Sequence, residues 1–223
     1  MRFCAASDQA MLIYLGEEIS LEAHERVLSL LRLLQQEPPA WLRNVQPAYC
    51  SLMVTFDATR VDHAEVESVL RGFEQRADSL PPPKQRIVEI PVCYDSEFGP
   101  DLEDVARAHH LTRREVVRFH TLRVYHAYFL GFAPGFAYLG DLPDEIATPR
   151  LDVPRKQVPA GSVAIAGKQT AVYPFETPGG WRLIGRTPLH VFKPGRKPMQ
   201  FISMGDQVRF RPISRNKFLE FTA

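Results

Sequence analysis

Apolar residues recur along the first 92 positions at intervals that switch between two and 3.6, the periods of strands and helices. Ala10 to Leu15 is a short apolar run that predicts a strand. Ser20 is placed to cap a helix reaching Gln36, with Val27, Leu30, Leu31 and Leu34 along one face. Pro38 and Pro39 end it. Strands are expected over 43–48 and 51–56, where Leu52, Val54 and Phe56 alternate with more polar neighbours. Asp62 with Glu65 three residues on has capping-box spacing, and Val66, Val69, Leu70, Phe73 and Ala77 behind it form an amphipathic stripe. Leu80-Pro-Pro-Pro-Lys84 reads as a stiff linker, and Ile87 to Val92 alternates again as a last strand. The order β-α-β-β-α-β predicts an α+β chain beginning with a ferredoxin-like, split β-α-β domain. The domain boundary is placed at the linker, giving domains of 1–85 and 86–223.

The second domain opens differently. Residues 100–122 predict two short helices, one carrying Leu102, Val105 and Ala106, the other started by a Thr112-x-x-Glu115 box and carrying Val116, Val117 and Phe119. Such a pair has the outline of a DNA-reading helix-turn-helix, but Asp101, Glu103 and Asp104 would face the phosphates that dominate that affinity. A helical insert is the better reading. Beyond Arg123, β-prone runs at 124–129, 162–166, 170–173, 181–184, 189–192 and 207–211 are separated by Gly and Pro. Nine of the 13 glycines and nine of the 19 prolines fall within 131–195, so frequent breakers between short strands predict a compact β-barrel with elaborate loops.

Composition narrows the function. The 223 residues are 45% hydrophobic and 24% charged, ordinary for a globular protein, and no stretch approaches the ~18 apolar residues of a membrane helix. The N-terminus lacks a secretory pattern, since Asp8, Glu17 and Glu18 interrupt it. Cys4, Cys50 and Cys93 form no C-x-x-C pair, so reduced thiols and a cytoplasmic location are expected, with neither a disulfide framework nor a zinc site. A net charge of +1 argues against general nucleic-acid binding. Residues 1–92 are net acidic and the remainder net basic, which suits an anionic small ligand on the second half or nothing more than a solvated surface.

Familiar catalytic signatures are missing. There is no G-x-S-x-G elbow and no H-E-x-x-H. Gly161 to Lys168 resembles a phosphate loop but has five residues between its glycines, and Gln169 where Ser or Thr is needed. The informative stretch is Leu130-Gly-Phe-Ala-Pro-Gly-Phe-Ala-Tyr-Leu-Gly140, then Pro149-Arg150, Val158-Pro-Ala-Gly-Ser-Val163, Gly167-Lys-Gln-Thr170, and Thr177-Pro-Gly-Gly-Trp-Arg-Leu-Ile-Gly-Arg-Thr187. Phe132, Phe136, Tyr138 and Trp181 are candidates for an apolar pocket wall. Arg150, Arg155, Arg182 and Arg186 offer forked donors for a carboxylate or phosphate, and Lys168 a further anion contact. Ser162, Gln169 and Thr170 supply neutral groups suited to an amide. Arg182 and Arg186 are expected to hold the anion, Gln169 and Thr170 to orient the reacting group. The competing reading makes these residues barrel turns and core.

The same residues resemble the family of 5-oxoprolinase B subunits, also called the KipI family and often labelled allophanate hydrolase subunit 1. The likeness runs through Ser-Asp-Gln-Ala at 7–10, Ile-Pro-Val-Cys-Tyr at 90–94, Gly-Pro-Asp-Leu at 99–102 and the run 131–187. It implies a ferredoxin-like domain followed by a cyclophilin-like β-barrel. It also implies pairing with a homologous C subunit and a separate A subunit, to open 5-oxoproline, a small anionic lactam, to glutamate at the expense of ATP. The ATP site is then expected to be shared with a partner, and the isolated chain inactive. Related activities implied by the resemblance are inhibition of a sensor histidine kinase and the carboxyltransferase half of a urea carboxylase. Three departures stand out: Ala137 where the family usually has proline, Lys168 where a small residue is common, and His126-Ala127 in a strand entry that is usually more apolar.

Overall fold

A computed structural model describes residues 1–77, 80 and 86–222, and divides into two compact units, Met1–Lys84 and Gln85–Ala223. Most of the proline-rich linker expected at 80–84 lies outside the described residues.

The first unit contains β1 (Arg2–Ser7), β2 (Ala10–Tyr14), α1 (Leu21–Gln36), β3 (Leu42–Pro47), β4 (Ser51–Phe56) and α2 (His63–Ala77). Its sheet is wholly antiparallel in the order β1-β2-β4-β3. The helix starts are those the sequence dictates. The Ser20 hydroxyl accepts from the Ala23 amide at 3.1 Å, and Asp62 and Glu65 exchange bonds at 2.9 and 3.2 Å. Ile13, Val27, Leu30, Leu34, Leu52, Val54, Phe56, Val66 and Leu70 form the core, each fully buried aliphatic contributing roughly 1.5–3 kcal/mol by leaving water. Two expectations are corrected. The edge strand β1 was not anticipated, because Arg2, Ser7 and their neighbours leave it mostly exposed and without apolar alternation. The run Ile87–Val92 does not complete this sheet; it joins the second unit.

The second unit comprises β5 (Ile87–Val92), α3 (Leu102–Ala108), α4 (Arg113–Leu122), β6 (Tyr125–Leu130), β7 (Ala137–Gly140), β8 (Arg155–Val158), β9 (Ser162–Ala166), β10 (Gln169–Val172), β11 (Thr177–Gly179), β12 (Arg182–Arg186), β13 (Gln207–Pro212) and α5 (Arg215–Thr222). Seven strands run β12-β9-β10-β7-β6-β13-β5, and β8 pairs with β11 as a separate ribbon. Strand β5 lies parallel to β13, a long-range pairing that local alternation cannot reveal. Cys93, just past β5, then exchanges both backbone bonds with Arg186 at 2.8 and 2.9 Å, so the two ends of the sheet meet and it nearly closes into a barrel. The stretch 189–192 forms no strand and contributes one bridge, Phe192 to Gln200. Helices α3 and α4 bury Leu102, Val105, Ala106 and Val116 in the same core as Ile90, Tyr125, Val163, Ile165 and Phe210. They are part of the barrel's packing.

One polar chain crosses that apolar interior. The Thr170 hydroxyl donates to the Ala164 carbonyl at 3.0 Å, so its oxygen is left to accept from His120 Nε2 at 2.9 Å. The remaining ring nitrogen, Nδ1, accepts from the Tyr94 hydroxyl at 2.8 Å. Burial disfavours the imidazolium and brings the His120 pKa down to about 3. Above pH ~6.5 the ring is neutral folded or unfolded; below it the unfolded chain takes up a proton that the folded one refuses until about pH 3. His120 therefore costs up to about 1.4 kcal/mol of stability per pH unit across that window. Replacing it by Asn is expected to flatten the acid limb of stability against pH by that amount, as read from urea unfolding at pH 4, 5 and 6; an unchanged slope would show that His120 is not buried neutral.

Candidate functional site

The outer face of the sheet over β9, β10 and β12 carries a second apolar cluster. Ala164, Ala166, Ala171 and Leu183 form its floor, and Phe136, Tyr173, Trp181 and Val158 pack over it. The rings interlock edge to face: Phe136 lies 5.5 Å from Trp181 and 5.3 Å from Tyr173, and Tyr138 lies 5.9 Å from Trp181. A cavity of about 100 Å³ opens among Phe132, Phe136, Tyr138, Arg150, Tyr173, Gly179, Gly180 and Trp181.

Each wall has a local cause. Phe132 sits at the tip of the β6–β7 hairpin with φ at 65°, a left-handed conformation unusual for an aromatic residue. The turn is held by Ala133 donating to Gly131 at 2.7 Å and Phe136 to Ala133 at 3.0 Å. Its ring remains 63% exposed beside the cavity, and a strained, uncovered aromatic is where a contact partner is to be sought. Gly179 faces Tyr173 so closely that a Cβ would stand 2.3 Å from the phenolic oxygen. Burial raises the Tyr138 and Tyr173 pKa values, opposed at Tyr173 by a hydrogen bond from the Trp181 backbone and at both by Arg150, so these hydroxyls stay neutral. The one charge in the lining is Arg150. Its guanidinium lies 5.8 Å from the Trp181 ring centre, and no described carboxylate pairs with it.

The ribbon beside the cavity is anchored by Asp101. Its carboxylate accepts from Arg155 at 2.6 Å and from the Leu183 amide at 2.6 Å, while its own amide donates to the Leu183 carbonyl at 2.9 Å. Asp101 thus ties the start of α3 to β8 and β12, and Gly179 sits opposite Arg155 across the ribbon. Sequence reasoning passed over Asp101 as a surface acid; its place in Gly-Pro-Asp-Leu was the available signal.

Of the residues expected at a site, Phe132, Phe136, Tyr138, Arg150 and Trp181 come together. The others do not join them. Arg155 is committed to Asp101. Lys168 is exposed and paired with Asp144 at 2.7 Å, and Ser162 is buried in β9. Thr170 is fully buried with its hydroxyl spent in the core, which corrects its assignment as an orienting group; its neighbour Gln169 opens β10 opposite Ala166. Arg182 donates to the Pro149 carbonyl at 3.3 Å, and Arg186 to the Ala160 carbonyl at 2.8 Å. Their partners across the ladder, Ile165 and Ser162, are three strand rises apart, about 10 Å, and the bulge between Leu183 and Gly185 turns the two arginines to opposite faces. They do not share one anion. Arg186 instead lines a second cavity of about 230 Å³ with Ala160, Gly161, Pro174, Thr187, Pro188, Leu189, His190 and Phe218. Among the described residues no group of three or more His, Cys, Asp or Glu is placed to hold a metal, and no helix is long and apolar enough to cross a membrane.

The carboxyltransferase domain family, subdomain C and D, matches residues 1–202. The chain is 44% identical to the B subunit of 5-oxoprolinase from Bacillus subtilis, over 95% of this chain and 92% of that protein. The chain belongs to the family of 5-oxoprolinase B subunits. A second member, the 5-oxoprolinase B subunit of Escherichia coli O157:H7, is 48% identical over 66% of each chain. The crystal structure of TTHA0988 superposes with a TM-score of 0.82 at 36% identity, covering 93% of this chain, which spans only 40% of that longer one.

Replacing Gly179 by Ala is expected to push the Tyr173 ring and close the cavity, at about 1–3 kcal/mol in overpacking. Gly180→Ala is the control, since its Cβ meets nothing nearer than 3.6 Å. Thermal denaturation of the pair checks this, and equal melting temperatures would mean that Gly179 is not a packing constraint.

Proposed function

We propose that this chain is one subunit of an ATP-dependent 5-oxoprolinase, a hydrolase acting on a cyclic amide. It works with a homologous C subunit and a separate A subunit to convert 5-oxo-L-proline to L-glutamate, and is inactive alone. The reading is supported by the names of its relatives, and one observation carries the site: an unpaired Arg150 at the mouth of a small, rigid aromatic cavity.

The chemistry of 5-oxoproline matches those walls. Its carboxylate needs a forked donor, which Arg150 supplies and which takes the role that the sequence pattern gave to Arg182 and Arg186. Its flat ring is covered by Phe136 and Trp181, which exclude water from one face. Its amide meets the neutral hydroxyls of Tyr138 and Tyr173, each able to donate to the carbonyl oxygen or accept from the N–H. The lactam bond itself is protected by amide resonance. In this reading ATP would phosphorylate the carbonyl oxygen with loss of ADP, which makes the carbon electrophilic. Water would then add, and the ring C–N bond break with its nitrogen taking a proton. Hydrolysis of the resulting acyl phosphate would release phosphate and the free carboxylate. Nothing like a Walker loop holds ATP here: Gly161 to Lys168 forms β9 and its turn, and Lys168 is tied to Asp144. Completion of the ATP site falls in this reading to residues elsewhere, those of the partner subunits included.

Arg150→Gln in the reconstituted three-subunit enzyme is expected to raise the KM for 5-oxoproline about 10- to 100-fold, the loss of one charge-assisted pair, with a smaller effect on kcat. Glutamate release is the readout. Glutamate formed by the isolated chain without ATP would contradict the subunit reading, and an unchanged KM would remove the substrate from this cavity.

A further inference from the structure

The second cavity has a chemistry of its own. Arg186 lines it and uses Nε on the Ala160 carbonyl at 2.8 Å, which leaves both terminal guanidinium nitrogens without a described acceptor. Thr187, 2% exposed, accepts the Leu189 amide at 3.2 Å, and its own hydroxyl hydrogen finds no acceptor among the described residues. His190 is exposed on the rim with neither ring nitrogen engaged by a described group. Three donors of three kinds thus line one space whose walls contain no carboxylate. The remaining side chains of the lining, beside Gly161, are apolar: Ala160, Pro174, Pro188, Leu189 and Phe218.

A flat carboxylate is satisfied by an arginine fork alone. Donors on separate residues, a guanidinium, a hydroxyl and an imidazole, suit an anion whose oxygens point in several directions. We infer that this cavity is a subsite for a tetrahedral oxyanion, the phosphate of a phosphorylated small molecule or free phosphate, held by Arg186, Thr187 and His190. At about 230 Å³ it holds more than one phosphate group, and its apolar walls take the carbon-bearing part of an ester. It is distinct from the aromatic cavity, with which it shares no lining residue. The proposal does not depend on what the aromatic cavity binds.

Calorimetric titration of the full chain with inorganic phosphate, AMP, ATP and acetate tests it. Phosphate-bearing probes are expected to bind and acetate to bind at least tenfold more weakly. ATP tighter than inorganic phosphate identifies a phosphoester or polyphosphate tail as the occupant, and equal affinities identify free phosphate; either supports the subsite. His190→Ala and Arg186→Gln are each expected to weaken phosphate binding about tenfold or more. Because Arg186 also holds the Ala160 loop, Arg186→Lys is included: it keeps the charge without the fork and is expected to fall between wild type and Gln. His190→Ala, on the rim, leaves the fold intact and is expected not to change binding of 5-oxoproline, which separates failure of this subsite from failure of the lactam reading. Absence of binding by any phosphate probe at about 5 mM, which corresponds to an affinity weaker than about 3 kcal/mol, overturns the proposal. So does phosphate binding that neither variant weakens, or acetate binding as tightly as phosphate.

Discussion

Closure of the seven-stranded sheet depends on one backbone exchange, between Cys93 and Arg186. An open sheet of this size would leave two hydrogen-bonding edges and a half-covered interior. The exchange joins the two edges at one point, and the nearly closed sheet surrounds the Ile90, Tyr125, Ile165 and Phe210 core. It requires near-contact of two backbone segments. A Cβ on Gly185 would stand 2.8 Å from the Cys93 carbonyl, so glycine there is a condition of closure. The bulge beside it has a second consequence, since it separates the faces to which Arg182 and Arg186 belong.

Once the sheet is closed, its two faces acquire different work. The interior is apolar and crossed by a satisfied chain, Tyr94 to His120 to Thr170 to Ala164, in which every donor has its acceptor. The exterior bears the aromatic cluster, and because small alanines form its floor, the large rings stack above them and leave a cavity at their rim. Asp101 couples the layers: by holding Leu183 on β12 and Arg155 on β8, it fixes the ribbon that brings Gly179 against Tyr173. The cavity's shape is therefore set by a carboxylate that does not line it.

Local rules sufficed where a residue's role depends on neighbours in sequence. The caps at Ser20, Asp62 and Thr112, the stripes of the first two helices and strand β9 are of this kind. Phe132, Phe136, Tyr138, Arg150 and Trp181 were legible as a group because breaker-rich loops carrying aromatics imply shaped surface. Thr170 was misread because a threonine beside glutamine looks like a donor pair, whereas alternation in β10 turns it inward to His120. Lys168 and Arg155 resembled anion contacts; their carboxylate partners, Asp144 and Asp101, are 24 and 54 positions away.

The sequence by itself determined the kinship, the helix starts, the succession of short strands and the kinds of side chain brought to the loops, since all of these follow from composition, periodicity and nearest-neighbour chemistry. Only the tertiary structure decided that Ile87–Val92 pairs with β13, that β1 edges the other sheet, and that four arginines expected at one anion go to different places. The reason is the same in each case. Partners distant along the chain are chosen by what the folded backbone brings within hydrogen-bonding reach, and a one-residue bulge is enough to send a charged group to the other face of a sheet.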